Sequence, residues 1–323
     1  IMPTMALPLL DARPPWVVVI NAASGRREGE AIAGLIRDAL GEAGIQGSIR
    51  LVSHAEEIPG IAEQAARQAR ERNGVLVGVG GDGTLSAVAA AAIRAGVVFS
   101  AVPGGTFNYF GRSHGFPEEP RAAIQSILQG ELRPIQVGQV NGHIFLVNAS
   151  FGLYPQLLED REAFKRQWGR SRPAAWGAAL LTLLGQHRLH RLHLKVGGQA
   201  QSMRASTVFV GNNRLQLEHV GLPEAPVVDD GLLLGMILRP LGRLGLVRLA
   251  VQGAMGRLGD ADEVERVVFR HLEVAPGGWW RRKTVKVALD GEQFRMRSPL
   301  VFDVSPRPLW LLAPCCPMGD PHA

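Results

Sequence analysis

The segment Gly78-Val-Gly-Gly-Asp-Gly-Thr-Leu-Ser-Ala87 has the composition of a phosphate-binding turn, set between the apolar run Val75 to Val79 and an alanine-rich helix. Glycines let the backbone adopt φ > 0 and approach a ligand closely, and the N–H groups at the start of the following helix present a positive dipole end to an anion. Asp82 places a carboxylate where negative charge is to be bound. That combination implies a metal ion arriving with the phosphates, because Mg²⁺ takes oxygen ligands and bridges phosphate oxygens. The string Gly78-x-Gly80-x-x-Gly83 also satisfies the dinucleotide fingerprint, but such a site wants an acidic residue about 20 positions on, and Leu85 to Pro117 contains no Asp or Glu. An ordinary glycine-rich turn without ligand remains the plain alternative.

The elements that must position this turn alternate strand and helix. The pattern predicts strands over Val17 to Ile20, Ser48 to Val52, Val75 to Val79 and Val97 to Val102, with helices over Gly29 to Ala43, Glu56 to Arg72, Leu85 to Ala95 and Pro120 to Gln129. Such alternation implies a parallel sheet with ligands at the carboxyl ends of its strands. Asn21 to Gly25, Gly80 to Thr84 and Gly104 to Asn108 all fall at those ends. From Gln136 onward the pattern changes to short β-rich runs separated by turn residues: Ile135 to Val140, His143 to Asn148, His193 to Val196, Ser206 to Val210, Leu232 to Leu238, Val267 to Val274, Thr284 to Leu289 and Leu300 to Val304. Helices are expected at Gln156 to Gln186 and Leu241 to Leu258. The fold expected is an α/β N-terminal domain with a parallel sheet and a nucleotide crevice, followed by a β-rich, mostly antiparallel, sandwich-like C-terminal domain.

Several segments together carry a resemblance. Gly80-Gly-Asp-Gly-Thr-Leu-Ser86, Asn21-Ala-Ala-Ser-Gly25, Pro103-Gly-Gly-Thr-Phe-Asn-Tyr-Phe110, Asp229-Asp-Gly-Leu232 and Leu289-Asp-Gly-Glu292 all occur in this chain. Over Trp16 to Pro314 the chain resembles the diacylglycerol kinase catalytic-domain family of lipid kinases, which includes sphingosine and ceramide kinases. NAD kinases share the GGDGT turn, but their Asn-Glu segment has no counterpart here. Ala22 stands where the family usually has proline. Tyr109 stands where it usually has aspartate, which removes a carboxylate from the neighbourhood of the phosphates or the acceptor hydroxyl.

The resemblance implies transfer of the ATP γ-phosphoryl group to a lipid hydroxyl, with diacylglycerol as the first candidate acceptor and a sphingoid base or another lipid alcohol behind it. Positioning and electrostatics dominate such a reaction. ATP is then held by Asn21, Ser24, Gly25, Ser53, Gly80, Gly81, Asp82, Gly83, Thr84, Leu85, Ser86 and Thr106, and Asp82 organises the catalytic Mg²⁺. Asp230, with Val227 and Leu232, binds a second, structural ion. Glu292 takes the proton of the acceptor hydroxyl, with Asp290 as the alternative; residues i and i+2 of a strand share a face. Asp-Gly is also the favoured dipeptide of a hairpin turn, so both Asp-Gly pairs have a purely conformational reading. Rival functions are a kinase for a soluble acceptor such as NAD and a non-catalytic nucleotide- or membrane-binding protein.

Composition and pattern divide the chain into a disordered leader over 1–15, a nucleotide domain over 16–137, an acceptor domain over 138–308, a final segment 309–314 and a tail 315–323, and the resemblance implies that the final segment packs back on the first domain. The 323 residues are 46% hydrophobic, enough for substantial cores in two domains. The 35 Lys and Arg against 29 Asp and Glu leave +6, suited to phosphate ligands or an anionic membrane surface. With aromatics at only 6%, a nucleic-acid stacking platform is not expected. The only cysteines, Cys315 and Cys316, are adjacent, so neither a disulfide framework nor a zinc site is available and a reducing cytoplasm is the expected compartment. His187, His190 and His193 are interleaved with Arg188 and Arg191, which favours a solvated basic edge over a metal site.

The apolar stretch Ala174 to Leu184 is too short to span a bilayer, which needs about 20 apolar residues. Flanked by Lys165, Arg166, Arg170, Arg172, Arg188, Arg191 and Lys195, it suits peripheral contact with an anionic lipid surface. A core helix with a charged rim fits the same pattern. A homodimer stays open.

Overall fold

The computed structural model describes residues 10, 13–23, 25–152, 190–242, 245, 248, 249, 252, 255, 257–277 and 284–315. Most of the leader, Ser24, the helix expected over Gln156 to Gln186, most of that over Leu241 to Leu258, the basic and apolar segment from Arg161 to Leu189, and Cys316 lie outside these residues.

The described residues fall into two compact units, one taking the chain up to Val137 and again from Pro306, the other Gly138–Ser305. The first is built on β1 (Trp16–Asn21), β2 (Gly47–Val52), β3 (Val75–Gly80), β4 (Val98–Pro103), β5 (Glu131–Ile135) and β18 (Leu309–Ala313), in the order β2-β1-β3-β4-β18-β5. The apolar runs of β3 and β4 are buried at every position, as inner strands of a sheet covered on both faces should be, whereas β2 at the edge buries only Val52. Strands β2, β1, β3, β4 and β18 run parallel, and β5 pairs antiparallel with β18. The C-terminal strand is therefore inserted between β4 and β5, where Ser100 donates its hydroxyl to the Leu312 carbonyl at 2.7 Å.

Helices α1 (Arg26–Ala43), α2 (Ile58–Glu71), α3 (Asp82–Ala95), α4 (Tyr109–Ser113) and α5 (Pro120–Leu128) connect these strands. α1 and α3 stop at Gly44 and Gly96, both in the left-handed conformation that glycine adopts without steric cost. Because β1 lies between β2 and β3, the connections leaving β1 and β3 diverge to opposite sides. Ligand crevices of α/β sheets open at such a switch point.

The second unit contains two six-stranded antiparallel sheets. One has the order β10-β9-β14-β17-β6-β7, from β6 (Gly138–Val140), β7 (His143–Phe145), β9 (His190–Val196), β10 (Gln199–Ala205), β14 (His271–Pro276) and β17 (Leu300–Val304). The other has the order β13-β12-β11-β8-β15-β16, from β8 (Asn148–Gly152), β11 (Thr207–Gly211), β12 (Leu233–Leu238), β13 (Val264–Phe269), β15 (Thr284–Leu289) and β16 (Glu292–Arg297). Their facing sides share a core that includes Phe145, Leu192, Leu272 and Phe302 from the first and Phe151, Val210, Ile237 and Val287 from the second. The outer face of the second sheet is covered by α6 (Arg214–His219) and the 3₁₀ turn Ala225–Val228 through Leu217, Leu222, Leu234 and Met236.

Three expected strands are in fact pairs of strands. Ile135 to Val140 breaks between β5 and β6, His143 to Asn148 between β7 and β8, and Val267 to Val274 at Arg270 between β13 and β14. The physical reason is the same each time: the two halves pair in different sheets, β13 with β12 and β14 with β9 and β17, and an apolar run reads continuously through the corner. Lys195, one of the cations flanking the apolar stretch, lies in β9, within the strand expected over His193 to Val196.

Candidate active site

In the first unit the loops after β1, β3 and β4 carry the expected nucleotide residues. Gly81 is the N-cap of α3 and supplies no side-chain cap, which leaves the first-turn N–H groups to an external acceptor. The loop after β4 lies against this turn backbone to backbone: Gly104 donates its N–H to the Gly80 carbonyl at 2.9 Å, and a Cβ added to Gly105 would stand 2.7 Å from the Gly81 Cα. Gly80 itself has φ +154, and a Cβ there would meet the Thr84 side chain at 2.9 Å. Two bare backbone stretches are thus stacked beside an uncapped helix end, a cradle that side chains would fill. Asn108, in the left-handed region at φ 49, holds the second loop closed by accepting the Gly105 N–H at 2.8 Å and donating to the Gly105 carbonyl at 3.0 Å. Sequence reasoning did not single out Asn108; an asparagine following Gly-Gly-Thr-Phe, and able to adopt positive φ, was the available signal.

Asp82 ties the two loops together. One carboxylate oxygen accepts the Tyr109 N–H at 3.1 Å and the other accepts the Phe110 N–H at 3.0 Å, at the start of α4. Burial raises its pKa above the ordinary carboxylate value, and the two N–H donors work against that rise. Each oxygen spends one lone pair on these bonds. The other stays available, which fits an ion that reaches the protein through a single carboxylate and draws its remaining ligands from phosphates and water.

Tyr109 stacks on Phe107 with ring centroids 5.7 Å apart and planes 5° apart, and Phe107 is 55% exposed. Burial raises the Tyr109 phenol pKa, Arg112 opposes the rise and Asp82 adds to it, so an uncharged aromatic pair borders the loop.

Among the other expected nucleotide residues, Gly25 caps α1, Ser53 is exposed beyond the end of β2, and Thr106 is exposed in the loop after β4. Ser86 is buried in α3. Leu85 has its side chain fully buried and its N–H given to the Gly81 carbonyl at 3.0 Å, so it is a core residue of α3.

In the second unit, one end of the β13-to-β16 sheet gathers the start of β8, the end of β11, the start of β12 and the β15–β16 turn. Leu289 pairs with Glu292, so Asp290-Gly291 forms a two-residue hairpin loop with φ 47 and 90, the positive values of the type I′ turn that Asp-Gly favours. Asp290 is buried, and its carboxylate accepts the N–H groups of Leu146, Val147 and Asn148 at 2.7, 2.9 and 2.8 Å. Asp290, the alternative proton acceptor, is therefore in the turn rather than on a strand face shared with Glu292, and its oxygens are engaged by backbone donors. Glu292 opens β16 and is exposed.

Asp230, Val227 and Leu232, the residues expected around a second ion, share one turn: Asp230 is exposed, and the Val227 carbonyl accepts the N–H groups of both Asp230 and Leu232 at 3.2 Å. Among the described residues no group of three His, Cys, Asp or Glu side chains is placed to hold an ion. Neighbouring Asp229 is instead drawn to Arg214 at 2.8 Å, and Arg214 also pairs with Glu218; these bonds raise the Arg214 pKa further. His193 lies in β9 with its Nδ1 2.7 Å from the Ser202 hydroxyl.

Residues 15–140 match the diacylglycerol kinase catalytic domain, and residues 160–313 match the YegS C-terminal NAD kinase beta sandwich-like domain. A Pseudomonas aeruginosa PAO1 protein named "Probable lipid kinase YegS-like" is 34% identical over 241 residues, 72% of this chain and 74% of its own length. The chain belongs to this family of lipid kinases. The diacylglycerol kinase of Bacillus subtilis strain 168 is 31% identical over 147 residues, 44% of this chain and 47% of its own. A crystal structure of a diacylglycerol kinase from Bacillus anthracis str. Sterne superposes with a TM-score of 0.65 at 16% identity, covering 94% of this chain and 98% of that one, a likeness of fold. Within this lipid-kinase family, no helix among the described residues of the present member is long and apolar enough to cross a membrane.

Proposed function

We propose that the protein transfers the γ-phosphoryl group of ATP to a lipid hydroxyl, with diacylglycerol as the acceptor and phosphatidic acid as the product. The observation that carries this reading is the stacked pair of glycine loops at the uncapped start of α3, fixed by Asp82. Backbone N–H groups in such a cradle bind phosphate oxygens without a side chain that could obstruct them. Mg²⁺ bound with ATP supplies neutralisation of the charge that develops on the phosphates. Asp82 is the carboxylate that would face it. Asp230, with the backbone oxygens of Val227 and Leu232, would hold a second, structural ion that orders this loop, and no step of the transfer is assigned to it.

On the acceptor side, Glu292 accepts the proton of the lipid hydroxyl as its oxygen bonds to the γ-phosphorus and the bond to the ADP oxygen breaks. Asp290 holds the turn that presents Glu292. Access to a bilayer-borne hydroxyl is by peripheral contact.

Incubation with labelled ATP, Mg²⁺ and a total lipid extract, followed by identification of the labelled product, tests the proposal. Label in phosphatidic acid is expected. Label in another lipid phosphate would replace the acceptor, and label confined to a water-soluble product that forms without vesicles would overturn the lipid reading.

A further inference from the structure

Asn21 is the last residue of β1 and touches both its own turn and the glycine loop after β3. Its Oδ1 accepts the Ala23 N–H at 3.0 Å, an Asx turn. That bond fixes which way the amide faces, because only the oxygen can serve a backbone donor. The Nδ2 is therefore directed at Thr84, whose Oγ1 lies 2.8 Å away. An amide nitrogen donates and does not accept, so Thr84 Oγ1 is the acceptor, and its own proton points elsewhere.

The surroundings of that hydroxyl decide where. Thr84 is 8% exposed and sits in the uncapped first turn of α3, and its Oγ1 is 3.0 Å from the position a Cβ on Gly80 would take. The hydroxyl thus borders the bare backbone of the cradle, beside N–H groups that already favour an anion.

We propose that Asn21 is a positioning residue that acts through Thr84: by donating to Oγ1 it commits the Thr84 hydroxyl to donate its proton to a phosphate oxygen of the bound nucleotide. The inference rests on the reading of this loop pair as the ATP site. It differs from a direct contact between Asn21 and ATP in making the two residues act as one donor. Asn21→Asp keeps the size and the Asx turn but reverses the polarity, so that Thr84 must donate to residue 21 and the nucleotide loses the bond.

Titration calorimetry of MgATP with the intact protein tests this in a double-mutant cycle. Thr84→Val is expected to weaken binding about 10- to 100-fold, the range for a lost hydrogen bond to a charged group, and Thr84→Ser to restore it to within about threefold. Asn21→Asp should weaken binding by about tenfold or more in the wild-type background and by a much smaller factor in the Thr84→Val background. An equal loss in both backgrounds would mean that residue 21 acts by charge or direct contact and would overturn the proposal, as would unchanged affinity of Thr84→Val. Melting curves of each variant separate loss of fold from loss of affinity. If the folded wild-type protein binds no MgATP, the nucleotide-site reading itself fails, and this inference falls with it.

Discussion

Asp290 accepts the Leu146 N–H at 2.7 Å although the two residues are 144 positions apart in the sequence. Its other contacts, to Val147 and Asn148, extend the same grip along the start of β8. The turn that carries Glu292 is thereby fastened to a central strand of its sheet. The neighbouring carboxylates of the Asp-Gly-Glu segment thus lie in different settings, Asp290 buried and tied to backbone donors, Glu292 exposed at the start of β16.

This division makes the two acidic residues separable by experiment. Asp290→Asn leaves at least one buried N–H facing an NH₂ group and should cost about 1–3 kcal/mol for each donor left unsatisfied, visible as a lower denaturant midpoint. Glu292→Gln should leave that midpoint unchanged and lower kcat by about 10²- to 10⁴-fold, the usual loss for a general base. A Glu292→Gln protein within a few-fold of wild-type kcat would remove Glu292 from the mechanism.

The glycine cradle makes a steric prediction. In Gly105→Ala the new methyl group would stand 2.7 Å from the Gly81 Cα, and a backbone neighbour, unlike the end of a flexible side chain, cannot move aside cheaply. The two loops must separate. Affinity for MgATP should fall by at least about tenfold, or ~1.4 kcal/mol, whereas Gly34→Ala, where an added methyl meets nothing within 4 Å, should bind normally. Equal affinities in the two variants would show that the loop contact is irrelevant to the nucleotide.

Asp82→Asn tests the link between the loops. The amide retains one acceptor oxygen where the carboxylate has two, so only one of the Tyr109 and Phe110 N–H groups keeps its partner, and the negative charge is gone. Turnover should drop by about 10²-fold or more with the fold intact, on the scale of losing a group that organises transition-state charge. Near wild-type phosphorylation at saturating Mg²⁺ would contradict the assignment.

Much of this architecture is legible in the sequence, and the places where it is not have common causes. Strands β1, β3 and β4 are continuous apolar runs ending in glycine or asparagine turns, and both the run and the turn are local signals. The corners at Arg270 and between Phe145 and Asn148 are hidden because hydrophobicity persists while the pairing partner changes. Leu85 reads as a ligand residue because it sits inside the glycine motif, yet its position in the helical period turns it into the core. The role of the Val227 carbonyl is hidden for a different reason: a main-chain oxygen has no residue identity, so which way it faces is settled only by the backbone path.

His114 supplies the pH prediction. It lies edge-on to Phe110, with ring centroids 4.7 Å apart, and burial, helped by the charge of Arg133, lowers its pKa from 6.5 to about 3. Between those values the unfolded chain binds a proton that the folded protein refuses, so stability is fully present above about pH 6.5 and is lost as pH falls toward 3. Arg133 also donates to the His114 carbonyl at 3.0 Å, a bond that does not depend on the identity of the side chain at 114. His114→Leu removes the titrating ring and keeps that bond. Denaturant midpoints measured at pH 7.0, 5.5 and 4.5 should therefore fall more steeply for the wild type than for His114→Leu. Parallel decline in the two proteins would assign acid sensitivity to carboxylates elsewhere and show that this imidazole is not held neutral by the fold.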